Sequence, residues 1–430
     1  MRSFLFIGLA IVLLPLSVAQ AEPLRIEEAM TKAYAHNPAL MAERAKLRAT
    51  EEKVSQARSG YRPSIDATAG GGISQQRVTG IGSDTLSPHD VGINVTQPVF
   101  RGFRTTSSVK AAEAEASAGR ALLENAEQNL LFSAAQTYLD VVRSQRVLEL
   151  TRKNEEVLKA SLAATSGRFN VGEVTKTDVS QSESRLSAAT AARIKAEGDL
   201  SNDRATFFRL IGENPVSLRH PRIPDNISPR LEETVALAET KNPAVIAARF
   251  AQEAAKADIG SAKGSLLPEV NLVGSVSRGW EQSVLVPDRQ DDATIMARVT
   301  VPLYRSGTDY SKTRAARETA TQRRLELEDV RNRMRELAVQ AWQNLQTTRA
   351  AMAAHQNMIA AAKLALLGTH EELKAGTRTT LDALNAEQEL LEANVNLVRA
   401  ERDEALALLQ IRAVTGSLTA RSLGLKVGDK

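Results

Sequence analysis

The sequence predicts a chain of mixed α and β class, in which very long coiled-coil helices alternate with two pairs of short strands. Three observations predict it: an internal duplication, the placement of proline, and short stretches of period-two alternation. The duplication spaces its copies about 204 residues apart, with Asn37-Pro38-Ala39 returning as Asn242-Pro243-Ala244 and Val95-Thr96-Gln97-Pro98 as Val299-Thr300-Val301-Pro302. Gly172 and Asp178 return as Gly376 and Asp382, and Gly212 as Gly416. The register changes by one residue between Pro63 and Pro98, which marks a loop region that tolerates insertion.

The first repeat is placed at 22–218, a linker at 219–229, the second repeat at 230–418 and a C-terminal tail at 419–430. Residues 1–21 read as a secretory signal peptide, with Arg2, an apolar stretch from Leu5 to Val18, and a small-x-small site at Ala19-Gln20-Ala21. The alternative, a membrane anchor, is disfavoured by the short apolar run and by Pro15.

No proline lies between Pro98 and Pro215 or after Pro302, and each gap admits a very long helix. Helices are expected at 103–168 and 176–211, and again at 305–372 and 380–415, with the glycine stops Gly172 and Gly376 between the members of each pair. A helix of about 66 residues would be roughly 100 Å long at 1.5 Å per residue. Leu131, Ala134, Tyr138, Val141 and Leu148 follow the spacing of a coiled-coil seam, as do Leu327, Val330, Met334, Leu337 and Ala341. Shorter helices near 37–60 and its repeat would pack in line with 176–211 and 380–415 along these seams.

Strands are expected near 64–77, 90–99, 269–281 and 292–301, joined by polar connections rich in Gly, Pro and Asp. Their length suits tilted transmembrane strands and also water-soluble hairpins. In lipid, four strands cannot stand as an open sheet, so several chains would have to contribute: three would give twelve strands, two would give eight.

Composition narrows the function. With no cysteine there is no disulfide, no thiolate chemistry and no cysteine-linked lipid. A formal net charge of +4 over 430 residues does not suggest a nucleic-acid surface. Aromatic residues make up only 4%, which suits Ala- and Leu-based helix packing better than one thick core. His36, His89, His220, His355 and His370 share no ligand spacing, and Asp288, Asp291 and Asp292 read as a solvated acidic tip of an outer loop in preference to a divalent cation site. Gly70-Gly71-Gly72 is not followed by a helix and reads as a bend. There is no nucleophile–base pair or cofactor motif, so neither catalysis, a cofactor nor a metal is expected.

Arg168-Phe-Asn-Val-Gly-Glu-Val-Thr-Lys-Thr-Asp178-Val and Ala375-Gly-Thr-Arg-Thr-Thr-Leu-Asp382-Ala-Leu, together with the Val-Thr-x-Pro strand ends, resemble the TolC-type outer-membrane efflux proteins over essentially the whole mature chain. The resemblance implies a homotrimer with a twelve-stranded outer-membrane β-barrel, four strands per chain, continuing into a long α-helical coiled-coil periplasmic tunnel with a gated end. It further implies an exit duct for efflux or type I secretion in a Gram-negative bacterium. Its partners would be a periplasmic adaptor (membrane fusion) protein, an inner-membrane transporter of the ABC, RND or MFS class, and outer-membrane lipid. The missing cysteine places the chain with the non-lipidated branch. From the residues alone, a periplasmic coiled-coil scaffold or adaptor without a pore remains the alternative.

Gly172 and Gly376 suit helix stops with positive φ, and Thr175-x-x-Asp178 and Thr379-x-x-Asp382 have capping-box spacing. In a trimer, three Asp382 carboxylates would also ring the axis and attract cations. The resemblance implies such a ring, with Asn385 standing where many relatives carry a second aspartate. It also implies a latch from Arg378 to the neighbouring hairpin around Thr177 and Asp178. The family's latch tyrosine falls at Leu373, which has no side-chain hydrogen bond to give. A solvated tip charge is the other reading of Arg378.

Overall fold

The computed structural model describes residues 24–80, 82–215, 217–219, 221, 223–225, 230–283, 285 and 289–425. The expected signal peptide, His220 and Asp288 lie outside them. In the first copy, α1 (Ile26–His36) and α2 (Pro38–Ser59) precede β1 (Ser64–Gly71), β2 (Ser74–Val78), β3 (Gly82–Leu86) and β4 (His89–Arg101), followed by α3 (Arg104–Asn170) and α4 (Lys176–Ile211). The second copy comprises α5 (Leu231–Lys241), α6 (Pro243–Gly264), β5 (Glu269–Trp280), β6 (Arg289–Thr300), α7 (Thr308–Lys374) and α8 (Thr380–Val414).

The repeated Asn-Pro-Ala has a local cause. Asn37 and Asn242 each end one helix and cap the next: Asn37 Oδ1 accepts from the N–H groups of Ala39 and Leu40, and Asn242 Oδ1 from that of Ala244. Pro38 and Pro243 occupy first-turn positions, where a missing N–H costs nothing. α3 and α7 have 67 residues each, about 100 Å at the α-helical rise. α2 and α4 lie along α3, and α6 and α8 along α7, while α6 also packs on α3 and joins the copies. The first-copy seam is closed, with Leu131, Ala134, Tyr138, Val141 and Leu148 all buried. In the second copy Leu327 and Ala341 are buried, but Val330, Met334 and Leu337 are only half-covered.

The largest core lies midway along α3, at the chain's waist, where α1, α4 and α8 meet it. Tyr138, Phe207, Met30 and Leu418 are fully buried there, with Leu200 buried beside them. The Tyr138 hydroxyl donates toward the carbonyls of Leu24 (2.7 Å) and Arg219 (2.6 Å), tying the long helix to the first described residue and to the segment after α4.

The four long strands form one antiparallel sheet in the order β1-β4-β5-β6. The register gives the sheet two unlike faces. Ala67–Ile93–Val276–Ala293 and Ile65–Val95–Gly274–Ile295 are rows of directly opposed residues, so they share one face. The rows between them, Thr68–Gly92–Ser277–Asp292 and Asp66–Asn94–Ser275–Thr294, share the other. Ile65, Ile93, Val276 and Ile295 are all exposed, Ile295 at 82%.

One strand differs from expectation. The segment near 64–77 does not run as a single strand: β1 stops at Gly71, and β2 leaves the sheet to pair, in a separate hairpin, with β3, which the sequence reads as loop. Gly70 lies so close to Asp90 that an added Cβ would sit 2.7 Å from its carboxylate, and the glycine run lets the chain leave the sheet. Asp291 and Asp292, expected in the outer loop, lie within β6.

Glycine also makes the sheet-to-helix junction. Gly102 has φ of 60°, and a Cβ there would sit 2.3 Å from the Gly264 carbonyl oxygen. No helix among the described residues is long and apolar enough to cross a membrane.

Candidate functional site at the helical tips

The far end of the helical part is made of two helix-turn-helix tips, α3–α4 and α7–α8. Both turns have the same backbone solution. In the first, the Glu173 N–H donates to the Arg168 carbonyl and the Gly172 N–H to that of Phe169, with Gly172 at φ 79°. In the second, Thr377 donates to Glu372 and Gly376 to Leu373, with Gly376 at φ 78°. These are Schellman stops, and glycine occupies the left-handed position each requires.

Each following helix opens with a reciprocal capping box. The Thr175 N–H donates to Asp178 Oδ2 at 2.9 Å while the Asp178 N–H donates to Thr175 Oγ1 at 3.4 Å. The corresponding distances for Thr379 and Asp382 are 2.9 and 3.2 Å. The hydroxyl and N–H of Thr175 hold the Asp178 carboxyl below the usual aspartate range, and the N–H and hydroxyl of Thr379 do the same for Asp382. Capping and charge are therefore one arrangement: the bonds that start the helix also keep the carboxylate ionised.

The copies differ in charge. Arg168 bridges its turn to Glu173 at 3.1 Å, whereas the equivalent position in copy two is Glu372, which pairs with Arg378 at 2.9 Å. Within the chain, then, Arg378 is held by its own hairpin and not at Thr177 or Asp178. Thr177 is exposed, and Leu373 is half-buried where the second helix-stop carbonyl accepts from Gly376.

Near the tips the two hairpins are tied by a contact that the sequence reading did not find. Arg185 Nη2 on α4 donates to Asn385 Oδ1 on α8 at 2.7 Å, and Leu158, Ala189 and Leu384 pack beside it. The α3–α4 hairpin is further laced by Arg193 to Glu155 (2.7 Å) and Arg152 to Glu197 (2.8 Å).

A second missed feature is Glu387, five residues beyond Asp382. It is 9% exposed, its Oε1 lies 3.5 Å from His370 Nε2, and its Oε2 is buried without a hydrogen-bond partner. Burial pushes its carboxyl above the usual glutamate range, with His370 only partly offsetting this. Its spacing carries the signal: Thr380, Ala383, Leu384 and Glu387 form one buried stripe on α8, and a carboxylate stands in an apolar position.

Nothing at the tips resembles a catalytic constellation; what they offer is a pair of stiff turns carrying fixed charge. The family model described as "Outer membrane efflux protein" matches residues 29–213 and 234–417, one match in each repeat. The chain is 35% identical over 403 residues to outer membrane efflux protein BepC of Brucella suis, covering 93% of this chain and 87% of that one. It is 29% identical to outer membrane protein TolC of Vibrio cholerae, covering 94% of each. Among solved structures it is similar to the outer membrane protein VceC of Vibrio cholerae, with a TM-score of 0.77 at 19% identity over 91% of this chain and 96% of that one.

Proposed function

The chain belongs to the outer membrane efflux protein family, and on that premise we propose that three copies form a passive export duct with a gated periplasmic end. As a member of the family it is an outer-membrane efflux or secretion channel of a Gram-negative bacterium, a transport protein and not an enzyme. The observation that carries the trimeric duct is the two-faced sheet. One face presents Ile65, Ile93, Val276 and Ile295 to the surroundings, while the other presents Asp66, Asn94, Ser275 and Thr294. That is the pattern of a wall between lipid and water.

β1 and β6 are the outer strands of the sheet, and lipid tolerates no open edge, so each must meet another copy. Three sheets of four strands close a twelve-stranded barrel. The helices are compatible with the same reading: α7 leaves Leu364 and Leu367 exposed three residues apart, a small apolar spot that a neighbouring subunit would cover. At the far end the threefold axis would gather three Asp382 carboxylates into a cation-attracting ring. Arg378, Asn385, Thr177 and Asp178 surround that ring as candidate gate residues, with Gly172 and Gly376 shaping the turns. The periplasmic tips would meet an adaptor protein joined to an inner-membrane transporter. The absence of cysteine from all 430 residues supports the non-lipidated branch.

Membrane fractionation tests this reading. The mature protein should sediment with outer membranes and require detergent for release. Release by salt or alkaline carbonate would favour a soluble periplasmic scaffold.

A further inference from the structure

The apolar face of the sheet does not run out into empty surface at the hairpin end. Following the register outward, Val276 and Ala293 give way to the opposed pair Arg278 and Asp291, then to Trp280 opposed by Arg289 on one side and His89 on the other. Asp291 accepts from both guanidiniums: Arg278 Nε and Nη2 at 2.5 and 3.1 Å, and Arg289 Nε and Nη2 at 3.2 and 2.6 Å. The Trp280 ring stacks on His89 with centroids 5.0 Å apart and planes 13° apart.

Charge on a lipid-facing surface is costly at the midplane, by about 2–4 kcal/mol, and nearly free at the interface. A cluster of three charges on this face therefore marks the headgroup level, as a tryptophan beside it also does. Two arginines share one carboxylate, so the cluster keeps an excess positive charge. Each guanidinium has five N–H donors and directs two to Asp291. Among the described residues the other nearby acids face elsewhere: Asp292 and Asp90 lie on the polar face, and Glu281 Oε2 accepts from the Ser87 N–H at 3.0 Å.

We propose that Arg278 and Arg289, flanked by Trp280 and His89, bind the phosphate of an outer-leaflet lipid headgroup. Planar guanidiniums match phosphate oxygens bidentately, Asp291 holds the two side by side, and the apolar rows below receive the acyl chains. The proposal rests on the barrel reading given above.

Trp280 supplies its own reporter, because the chain has only two tryptophans and replacing the other, Trp342→Phe, leaves Trp280 alone. The detergent-purified full-length assembly in that background is titrated with lipid A, with lipid A stripped of its phosphates, and with inorganic phosphate. Trp280 emission should change saturably with lipid A, at least about tenfold more tightly than with the stripped lipid or free phosphate. Arg278→Gln with Arg289→Gln should remove that preference. Equal response to both lipids, or a preference that survives the double variant, overturns the phosphate site alone. Equal affinity for inorganic phosphate makes it a free-anion site and overturns the lipid assignment. No response to either lipid overturns the membrane-facing sheet as well. Should the double variant fail to assemble, the unsubstituted protein's discrimination between the two lipids decides.

Discussion

Ile295→Arg and Thr294→Arg place the same charge one residue apart on opposite faces of β6. Ile295 lies six residues from Arg289, where the strand begins. At about 3.4 Å per residue and a tilt of about 40°, it sits roughly 15 Å below the rim, near the middle of an apolar band about 25 Å tall. An arginine there should cost about 2–4 kcal/mol per chain, hence about 6–12 kcal/mol for a barrel of three. Thr294 is opposed by Ser275 on the polar face, where an arginine meets water and should cost about 0.5 kcal/mol or less. The assay is the temperature at which the reconstituted assembly loses its resistance to sodium dodecyl sulfate, together with guanidinium unfolding in bilayers. Ile295→Arg should dissociate at much lower temperature, and Thr294→Arg should track the unsubstituted protein. Equal losses, or a greater loss from Thr294→Arg, would refute the assignment of faces.

Four further outcomes follow, three at the helical tips and one at the sheet-to-helix junction. Gly376→Ala meets no atom within 4 Å, so its cost is the left-handed backbone alone, about 1–2 kcal/mol, measured as faster amide exchange in the α7–α8 turn. Gly102→Ala should cost distinctly more, since its Cβ meets the Gly264 carbonyl at 2.3 Å. For Glu387 the folded-state pKa lies above the ordinary 4.5, so the folded state holds its proton more tightly and stability falls as pH rises from 4.5 through that raised value. Glu387→Gln should flatten that part of the melting-temperature profile and raise stability above it; an unchanged slope would place the pH dependence elsewhere. Arg185→Ala removes the 2.7 Å bond to Asn385, and hydrogen exchange should rise at the tips of α4 and α8 while the waist around Tyr138 is unaffected.

The fold class was legible because its determinants are local. Proline gaps permit α3 and α7, Gly172 and Gly376 stop them, and Thr175 and Thr379 restart the chain. α1 and α5 were hidden because Asn37 and Asn242 each serve two helices, so one signal marks both an end and a beginning. The β2–β3 hairpin was hidden because Gly80 and Gly82, at φ 89° and 119°, look like loop whether or not strands flank them. At the tips, the turns and caps could be read within four or five residues. The Arg185–Asn385 bond joins positions 200 residues apart, and Glu372 captures Arg378 through a turn whose charge pattern the two copies do not share. Such pairings depend on how the hairpins pack, which no spacing rule supplies.

The central proposal, a duct gated at its periplasmic end by charged tips, is tested most directly by single-channel recording of the purified protein in planar bilayers. The expected result is a small, cation-preferring conductance that rises when Arg378→Ala removes a positive charge from the tip, with the preference weakened in Asp382→Asn. Folded assemblies that insert but conduct nothing, or a pore indifferent to both substitutions, would contradict it.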